Sequence, residues 1–217
     1  MKDLMTIITN PGKVFEEERK PWIPIIFTII ISILGFLVLR LALSQEFAEK
    51  TRQLIENLPE DQRERALAGL TNTTRMLLVG TITILIVTPI KILLQSLIFN
   101  QAAPVFGGEL SFLNSMTILS YANFVSSLSL LIKVPLAIIT RQPLVRTDLG
   151  ILFNEIKGYL PVVLSQVDIF TIWSLFIIAI GLNKYAKLDK NKSFLLVFIL
   201  WGVYILGIAP LLAIRRV

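Results

Sequence analysis

Long apolar runs alternate with short polar and charged segments along this 217-residue chain. Five runs hold about 20 mainly apolar residues each, which is the length that an α-helix needs to cross a bilayer core. The predicted spans are about 23–43, 76–99, 115–139, 162–182 and 194–214. The predicted fold class is therefore an all-α membrane protein, a bundle of about five transmembrane helices with short amphipathic interfacial helices.

Residues 1–22 precede the first span and are rich in charge. Four apolar residues fit one face of a short helix, namely Leu4, Met5, Ile7 and Ile8. Asn10 and Pro11 suit a helix cap and a first helical position, and Pro21 ends the second helix. We interpret residues 1–22 as an amphipathic hairpin lying on the membrane, with an ordinary polar tail as the alternative. Residues 23–217 form the predicted membrane domain.

The segments between the spans carry further structure. Helical spacing of apolar residues predicts two short amphipathic helices within 44–75, with a break at Pro59. Gly107 and Gly108 predict a turn between the second and third spans, because glycine tolerates positive φ. Ala122 and Ser126 form a pair of small residues four positions apart, which allows a neighbouring helix to approach closely.

Composition narrows the function classes. Hydrophobic residues make up 54% of the chain, and the mean hydropathy is +0.74. One membrane domain accounts for this length and leaves no room for a separate soluble enzyme domain. The chain contains no cysteine and no histidine, which excludes thiolate nucleophiles, Ser-His-Asp triads and His or Cys metal sites. We therefore predict no enzyme activity and no cofactor.

The net charge of +6 comes from basic residues that flank the apolar runs. This arrangement indicates contact with lipid headgroups and argues against nucleic acid as a partner. With a cytoplasmic amino terminus, the inner segments outside the spans carry 8 lysines and arginines and the outer segments carry 10, so the crude total opposes this orientation. The densest short basic loop, residues 183–192, would lie inside if the amino terminus is cytoplasmic, which the positive-inside rule favours.

Four charged residues fall within the predicted spans: Arg40, Lys91, Lys133 and Asp168. Lys133 and Asp168 each lie about 9 Å below the same membrane surface by helical rise. They could form a polar site, with Arg40 nearby, that holds a lipid headgroup or passes an ion or proton. The alternative is a buried Lys133–Asp168 pair that fixes helix register while Arg40 extends to the surface.

Lys91 belongs to the opposite leaflet, about 12 Å deep by the same rise. It either lines a gap opened by a kink at Pro89 or extends towards the nearer surface, which we favour. Phe170 and Trp173 lie close to Asp168 in the sequence, and aromatic residues at such positions most often serve in packing.

Three sequence elements form a recognisable set along the chain. The first is Asn10-Pro11-Gly-Lys-Val-Phe15, and the second is Phe106-Gly107-Gly108 followed by Tyr121-Ala. The third comprises Asp168, Phe170, Trp173 and Gly181 before the basic loop. Together they resemble the Yip domain family, the Ypt-interacting-protein-like membrane proteins. The resemblance covers nearly the whole chain and is closest to bacterial members. One departure is that Asn123-Phe124-Val125 stands where the family often has a proline.

The resemblance implies five spans with a cytoplasmic amino terminus, hence a carboxyl terminus on the outer side of the cell membrane. The predicted function is an integral membrane scaffold or interaction protein that organises the membrane or binds protein or lipid partners. A second copy of the chain is one such partner. The alternative function is a translocator of a small solute, an ion or a lipid that uses an intramembrane site at Asp168 and Lys133.

Overall fold

The computed structural model describes residues 2–56, 58–60, 62–63, 73–143, 145–153 and 159–214. The regular elements of this part of the chain are all helical. The α-helices are α1 Lys2–Thr9, α2 Pro11–Val14, α3 Trp22–Ala42, α4 Ser44–Glu56, α5 Thr73–Val105, α6 Phe112–Ser127, α7 Leu130–Thr140, α8 Tyr159–Leu164, α9 Ile169–Tyr185 and α10 Lys190–Ile214. A 3-10 helix covers Leu149–Phe153.

Apolar helices of membrane-spanning length dominate the described residues. Four stretches are long and apolar enough to cross a membrane: Trp22–Ala42, Thr74–Val105, Phe112–Thr140 and Lys190–Gly207. Helix α9, at Ile169–Tyr185, is apolar but shorter. Many leucine and isoleucine side chains along α3 and α5 are about half exposed, as suits helices that face lipid tails. The predicted class, an all-α membrane bundle, is confirmed.

Both helices predicted in the amino-terminal segment form. Asn10 caps α2, and its side-chain oxygen accepts a hydrogen bond from Lys13 N at 3.3 Å. Leu4 and Ile7 are buried, whereas Met5 is 72% exposed, so the apolar face is narrower than the sequence suggests. The second helix ends at Val14 and not at Pro21, because the residues from Phe15 onward make tertiary contacts in a non-helical conformation.

The helix ends differ from the ends of the apolar runs. Helix α5 continues to Val105, beyond the predicted 76–99, and the third run is divided by a turn at residues 128–129. The fourth run, predicted at 162–182, contains α8, a turn and then α9. In the loop after α3, α4 confirms the first amphipathic helix, while the predicted second one lies largely outside the described residues.

The helices belong to two compact units. Unit 1 comprises the described residues of Met1–Thr28, Pro89–Ser129 and Arg146–Val217. Helix α9 packs against both α6 and α10, while α1 packs against α6 and α2 packs against α9. The core of unit 1 contains fully buried aliphatic side chains, including Ile118, Ile177, Leu182, Leu196 and Val197.

Unit 2 comprises the described residues of Ile29–Thr88 and Leu130–Val145. Gly35 of α3 leaves room for Leu130 of α7, whose Cδ1 would lie 3.3 Å from a Cβ added to the glycine. An ion pair of 3.0 Å joins Arg141 to Glu46. A backbone hydrogen bond and the Arg141 guanidinium lower the pKa of Glu46.

Candidate functional site

Phe15 anchors the amino-terminal segment in unit 1. Its side chain is 2% exposed and lies edge-on to two aromatic rings, with centroid distances of 5.9 Å to Tyr121 and 5.4 Å to Tyr185. Edge-to-face geometry is a favourable arrangement of aromatic pairs. Phe15 and Tyr121, which the sequence singles out in two separate motifs, therefore meet in one contact between the segment and helix α6.

Backbone hydrogen bonds hold the residues that follow Phe15. Tyr185 Oη donates to Glu17 O at 2.7 Å and accepts from Arg19 N at 3.2 Å. Thr117 Oγ1 donates to Arg19 O at 3.1 Å. The Arg19 guanidinium also pairs with Glu17 at 2.9 Å and with Asp3 at 3.5 Å. The segment is thus fastened to α6 and α9 at several points, and it packs on protein.

The Gly107–Gly108 turn confirms its predicted role. Gly107 has a φ of +86°, which side chains other than glycine rarely adopt. A Cβ on Gly108 would lie 2.6 Å from Leu188 Cγ and 2.9 Å from Ala186 O, so a side chain there does not fit. Glu109 N donates to Ala186 O at 3.1 Å. The two loops at this end of unit 1 are therefore joined directly.

Gly181 lets α9 approach α6 closely. A Cβ at this position would lie 2.7 Å from Ile118 Cγ1 and 2.8 Å from its Cγ2, and Ile118 is fully buried. Ala122, one turn further along α6, is 2% exposed. Small residues at such a crossing allow helix backbones to come near each other, which is a common way for membrane helices to associate.

Exposed lysines gather at the end of unit 1 where the amino-terminal segment is docked. Lys187, Lys190 and Lys192 follow α9 or begin α10, and all three are exposed. Lys184 lies 3.7 Å from Glu16. Among the described residues, Lys187, Lys190 and Lys192 take part in no ion pair. We call the surface formed by these three lysines and the docked segment the basic face.

Asp168 caps helix α9. Its Oδ1 accepts hydrogen bonds from Phe170 N at 2.8 Å and from Thr171 N at 2.9 Å. The residue has extended backbone dihedrals and the helix begins at Ile169, so Asp168 precedes the helix and is not inside it. A carboxylate at a helix amino terminus satisfies free amides and complements the helix dipole. Phe170 belongs to this cap, and Trp173 is 41% exposed one turn later.

The other two members of the predicted polar site belong to unit 2. Lys133 is half-buried in α7, and the Arg40 guanidinium lies 4.2 Å from the centre of the Phe47 ring. A cation over an aromatic face is a favourable contact. Asp168 belongs to unit 1, so the pairing of Lys133 with Asp168 stays a prediction.

A second polar contact lies near the α9 cap, and the hydropathy of the sequence gives no sign of it. Arg146 Nη2 and Asp148 Oδ1 are 2.6 Å apart, with side-chain exposures of 27% and 14%. The Asp148 carboxylate raises the pKa of Arg146. Asp148 Oδ1 also accepts from Gly150 N at 3.0 Å, and Leu149 N donates to Val167 O at 3.0 Å. The Arg-x-Asp spacing is the signal that could have indicated this pair.

Lys91 occupies the middle of α5 and is exposed. Near the bilayer centre, a lysine costs about 2.5–3.5 kcal/mol on insertion scales. Four residues on, Gln95 Oε1 accepts a hydrogen bond from Asn123 Nδ2 at 2.9 Å.

Within the described residues, no group of three His, Cys, Asp or Glu side chains could hold a metal ion.

Comparison with known proteins shows the family of the chain. The family model described as the Yip1 domain matches residues 5–211, which is nearly the whole chain. The chain belongs to the Yip1 family. The match spans every Yip1 motif residue singled out above, from Pro11 to Gly181, including Phe15, Tyr121 and the glycines of the turn.

A bacterial relative supports the assignment. The chain is 28% identical over 211 residues to the membrane protein YknW of Bacillus subtilis (strain 168). The aligned residues cover 93% of this chain and 86% of the relative. No solved structure matches the chain. This Yip1 protein is therefore similar along most of its length to a bacterial membrane protein.

Proposed function

We propose that this Yip1 protein is a non-enzymatic scaffold or interaction protein of the cell membrane, which binds its partners at the basic face. The observation that carries the proposal is the combination of a firmly docked amino-terminal segment with three exposed lysines that make no ion pair in the described part of the chain. A fixed surface with unneutralised charge is suited to binding acidic groups of a protein or of lipid headgroups.

The basic face is the cytoplasmic one in this proposal. The amino-terminal segment contacts Tyr185 at the end of α9, and the Gly107–Gly108 turn contacts Ala186 next to it, so all three lie on one side of the membrane. Lysine-rich short loops favour the cytoplasmic side. The carboxyl end of α10 then lies on the outer side.

The α9 cap supports a structural role for Asp168 and weakens the translocation alternative. One carboxylate oxygen already accepts two backbone hydrogen bonds in the α9 cap. The carboxylate therefore already serves as a helix cap, which accounts for an acid at this position without a role in translocation.

A crosslinking experiment tests the interaction role. A photoreactive amino acid is placed at Lys187 or Lys190 of the full chain in its native membrane, with Gln142 as the control position at the far end of α7. We expect defined adducts from 187 and 190 that are absent from 142, and we expect replacement of the three lysines by glutamine to abolish binding of the captured partner. Adducts of equal yield from all three positions would contradict the proposal.

A flux assay distinguishes the translocation alternative from the scaffold function. The purified protein is reconstituted in liposomes, and movement of protons, potassium and a fluorescent lipid is recorded. We expect rates equal to those of protein-free liposomes. A flux that the wild type supports and that Asp168→Asn abolishes would establish translocation instead, because asparagine retains the cap but cannot carry a proton.

A further inference from the structure

Helix α5 has one buried side and one exposed side within unit 1. The buried residues recur with helical spacing: Ile92, Ser96, Phe99 and Ala103. Leu94 and Ile98 are 57% and 53% exposed, and Lys91 precedes them at the spacing i, i+3, i+7. The three side chains therefore share an exposed helix face, which we call the Lys91 face.

The depth of Lys91 in the predicted span argues against the extension to the surface that the sequence alone favours. Eight residues separate it from Phe99 at the end of the apolar run, which corresponds to about 12 Å of helical rise. This depth is about twice the length of a lysine side chain, so extension towards the surface leaves the charge within the hydrocarbon. A charge in this position normally pairs with a partner or faces a polar interior.

The described residues of the apolar helices offer no acidic partner at that depth. The apolar helices α3, α5, α6, α7, α9 and α10, over their described residues, contain no aspartate or glutamate. Asp168 precedes α9 and caps it, and Lys91 takes part in no ion pair in the described part of the chain. A second copy of the chain would bring the same residues and a second Lys91, so it cannot supply the missing carboxylate.

Gln95 adds a second donor beside Lys91. It lies one turn further along α5, and its oxygen is occupied by Asn123. Its amide nitrogen donates no hydrogen bond within the residues that the structure describes. An ammonium and an amide one turn apart are complementary to a carboxylate, which accepts several hydrogen bonds.

We propose that the Lys91 face binds a transmembrane helix of another protein, and that this helix carries an aspartate or glutamate at the depth of Lys91. The inference rests on the proposed interaction function and identifies the kind of partner that one surface takes. The partner's carboxylate neutralises Lys91 and accepts from Gln95, while its apolar residues pack on Leu94 and Ile98.

A reconstituted system tests this pairing. The full chain carries a donor dye on a single introduced cysteine, because the natural sequence has none. The probe is a synthetic leucine-rich transmembrane peptide with an acceptor dye and one aspartate about 12 Å from one end of its apolar stretch. Energy transfer in zwitterionic liposomes then reports association, and a peptide with leucine in place of the aspartate serves as the reference.

We expect the aspartate peptide to associate at least about fivefold more tightly than the leucine peptide. Lys91→Met should remove this preference while retaining the folded state by circular dichroism and melting. Lys50→Met, which removes one exposed positive charge from α4 outside the apolar runs, should leave the preference unchanged. Lys91→Glu should transfer the preference to a peptide that carries lysine at the same position.

Three results would overturn the inference. The first is equal association of both peptides with the wild type, and the second is an unchanged aspartate preference in Lys91→Met. The third is loss of self-association or of anionic-lipid binding in Lys91→Met without any peptide effect, which would assign Lys91 to a second copy or to a lipid phosphate. Crosslinking from the basic face does not involve Lys91, so the proposed function can stand while this inference fails.

Discussion

A single carboxylate can decide where a membrane helix begins. Asp168 interrupts an apolar run that continues on both sides of it, and its Oδ1 accepts the amides of Phe170 and Thr171. In an apolar environment unpaired backbone amides are costly, so the cap matters more here than at a solvated helix end. The acid that the sequence suggests as a proton carrier therefore has a definite structural task.

Replacing Asp168 separates the cap from the charge. Asp168→Ala should lower the free energy of unfolding by about 1 kcal/mol, since alanine cannot accept the two amide hydrogen bonds. Asp168→Asn should change it by only a few tenths of a kcal/mol, because asparagine caps about equally well. Unfolding in mixed micelles measures both. A large loss in Asp168→Asn that Lys133→Met suppresses would instead indicate that the charge pair is the main contribution.

Gly181 and Gly202 form a matched pair of helical glycines. Gly181→Ala should destabilise the protein by about 1–2 kcal/mol, because the new methyl group collides with Ile118, which is fully buried and has no room to move. Gly202 has no atom within 4 Å of an added Cβ, so Gly202→Ala should stabilise helix α10 by about 0.5–1 kcal/mol. A lower melting temperature for Gly181→Ala together with a higher one for Gly202→Ala would confirm the close crossing of α9 and α6. Changes of the same sign in both variants would contradict it.

At the scale of elements, hydropathy finds the spans but not the helix ends. Helix α5 continues through Asn100 and Gln101, because residues beyond the apolar run can remain helical. The side chain of Asn100 is held there by a hydrogen bond from its Nδ2 to Leu110 O. The turn before α9 contains three polar residues, Ser165, Gln166 and Asp168, but hydropathy averaged over the surrounding apolar run does not detect it. Hydropathy measures preference for lipid, whereas helix ends depend on caps and on tertiary hydrogen bonds.

The candidate site also has features that the sequence predicts and features that depend on tertiary contacts. The family motifs contain Phe15 and Tyr121, yet no local pattern indicates that they touch, because the contact joins distant parts of the chain. Tyr185 and Thr117, which hold the backbone of Arg19, give no signal of their own in the sequence. The charges Arg40, Lys91, Lys133 and Asp168 are visible at once, but their surroundings depend on helix rotation, which composition does not encode.

The docking of the amino-terminal segment depends on Phe15. Phe15→Ala should lower the free energy of unfolding by about 3 kcal/mol, since the ring is buried between Tyr121 and Tyr185. We expect faster hydrogen exchange in residues 2–15 and faster tryptic cleavage after Lys13. Phe112→Ala is the control, because that ring is 42% exposed, and its effect should stay below about 1 kcal/mol. Unchanged exchange in Phe15→Ala would show that the hydrogen bonds alone hold the segment.

At the scale of the molecule, the lack of cysteine gives a direct assay of orientation. Lys13→Cys and Lys187→Cys should react with an impermeant maleimide from the same side of the membrane, and that side should be the cytoplasmic one. Gln142→Cys should react from the other side, because the Phe112–Thr140 stretch is long and apolar enough to cross the membrane once. Labelling of right-side-out and inverted vesicles provides the measurement. Reaction of positions 13 and 187 from opposite sides would contradict the docked segment.

The brevity of α9 has a consequence for the surrounding lipid. Its 17 residues extend about 26 Å, against roughly 30 Å for a typical hydrocarbon core, whereas α5 has 33 residues. A bilayer that matches α9 is thinner than average, so we expect the protein to thin the membrane locally and to concentrate in thin regions. Its melting temperature should be higher in lipids with 14-carbon acyl chains than in those with 20-carbon chains, and the reverse order would indicate that α5 sets the preferred thickness.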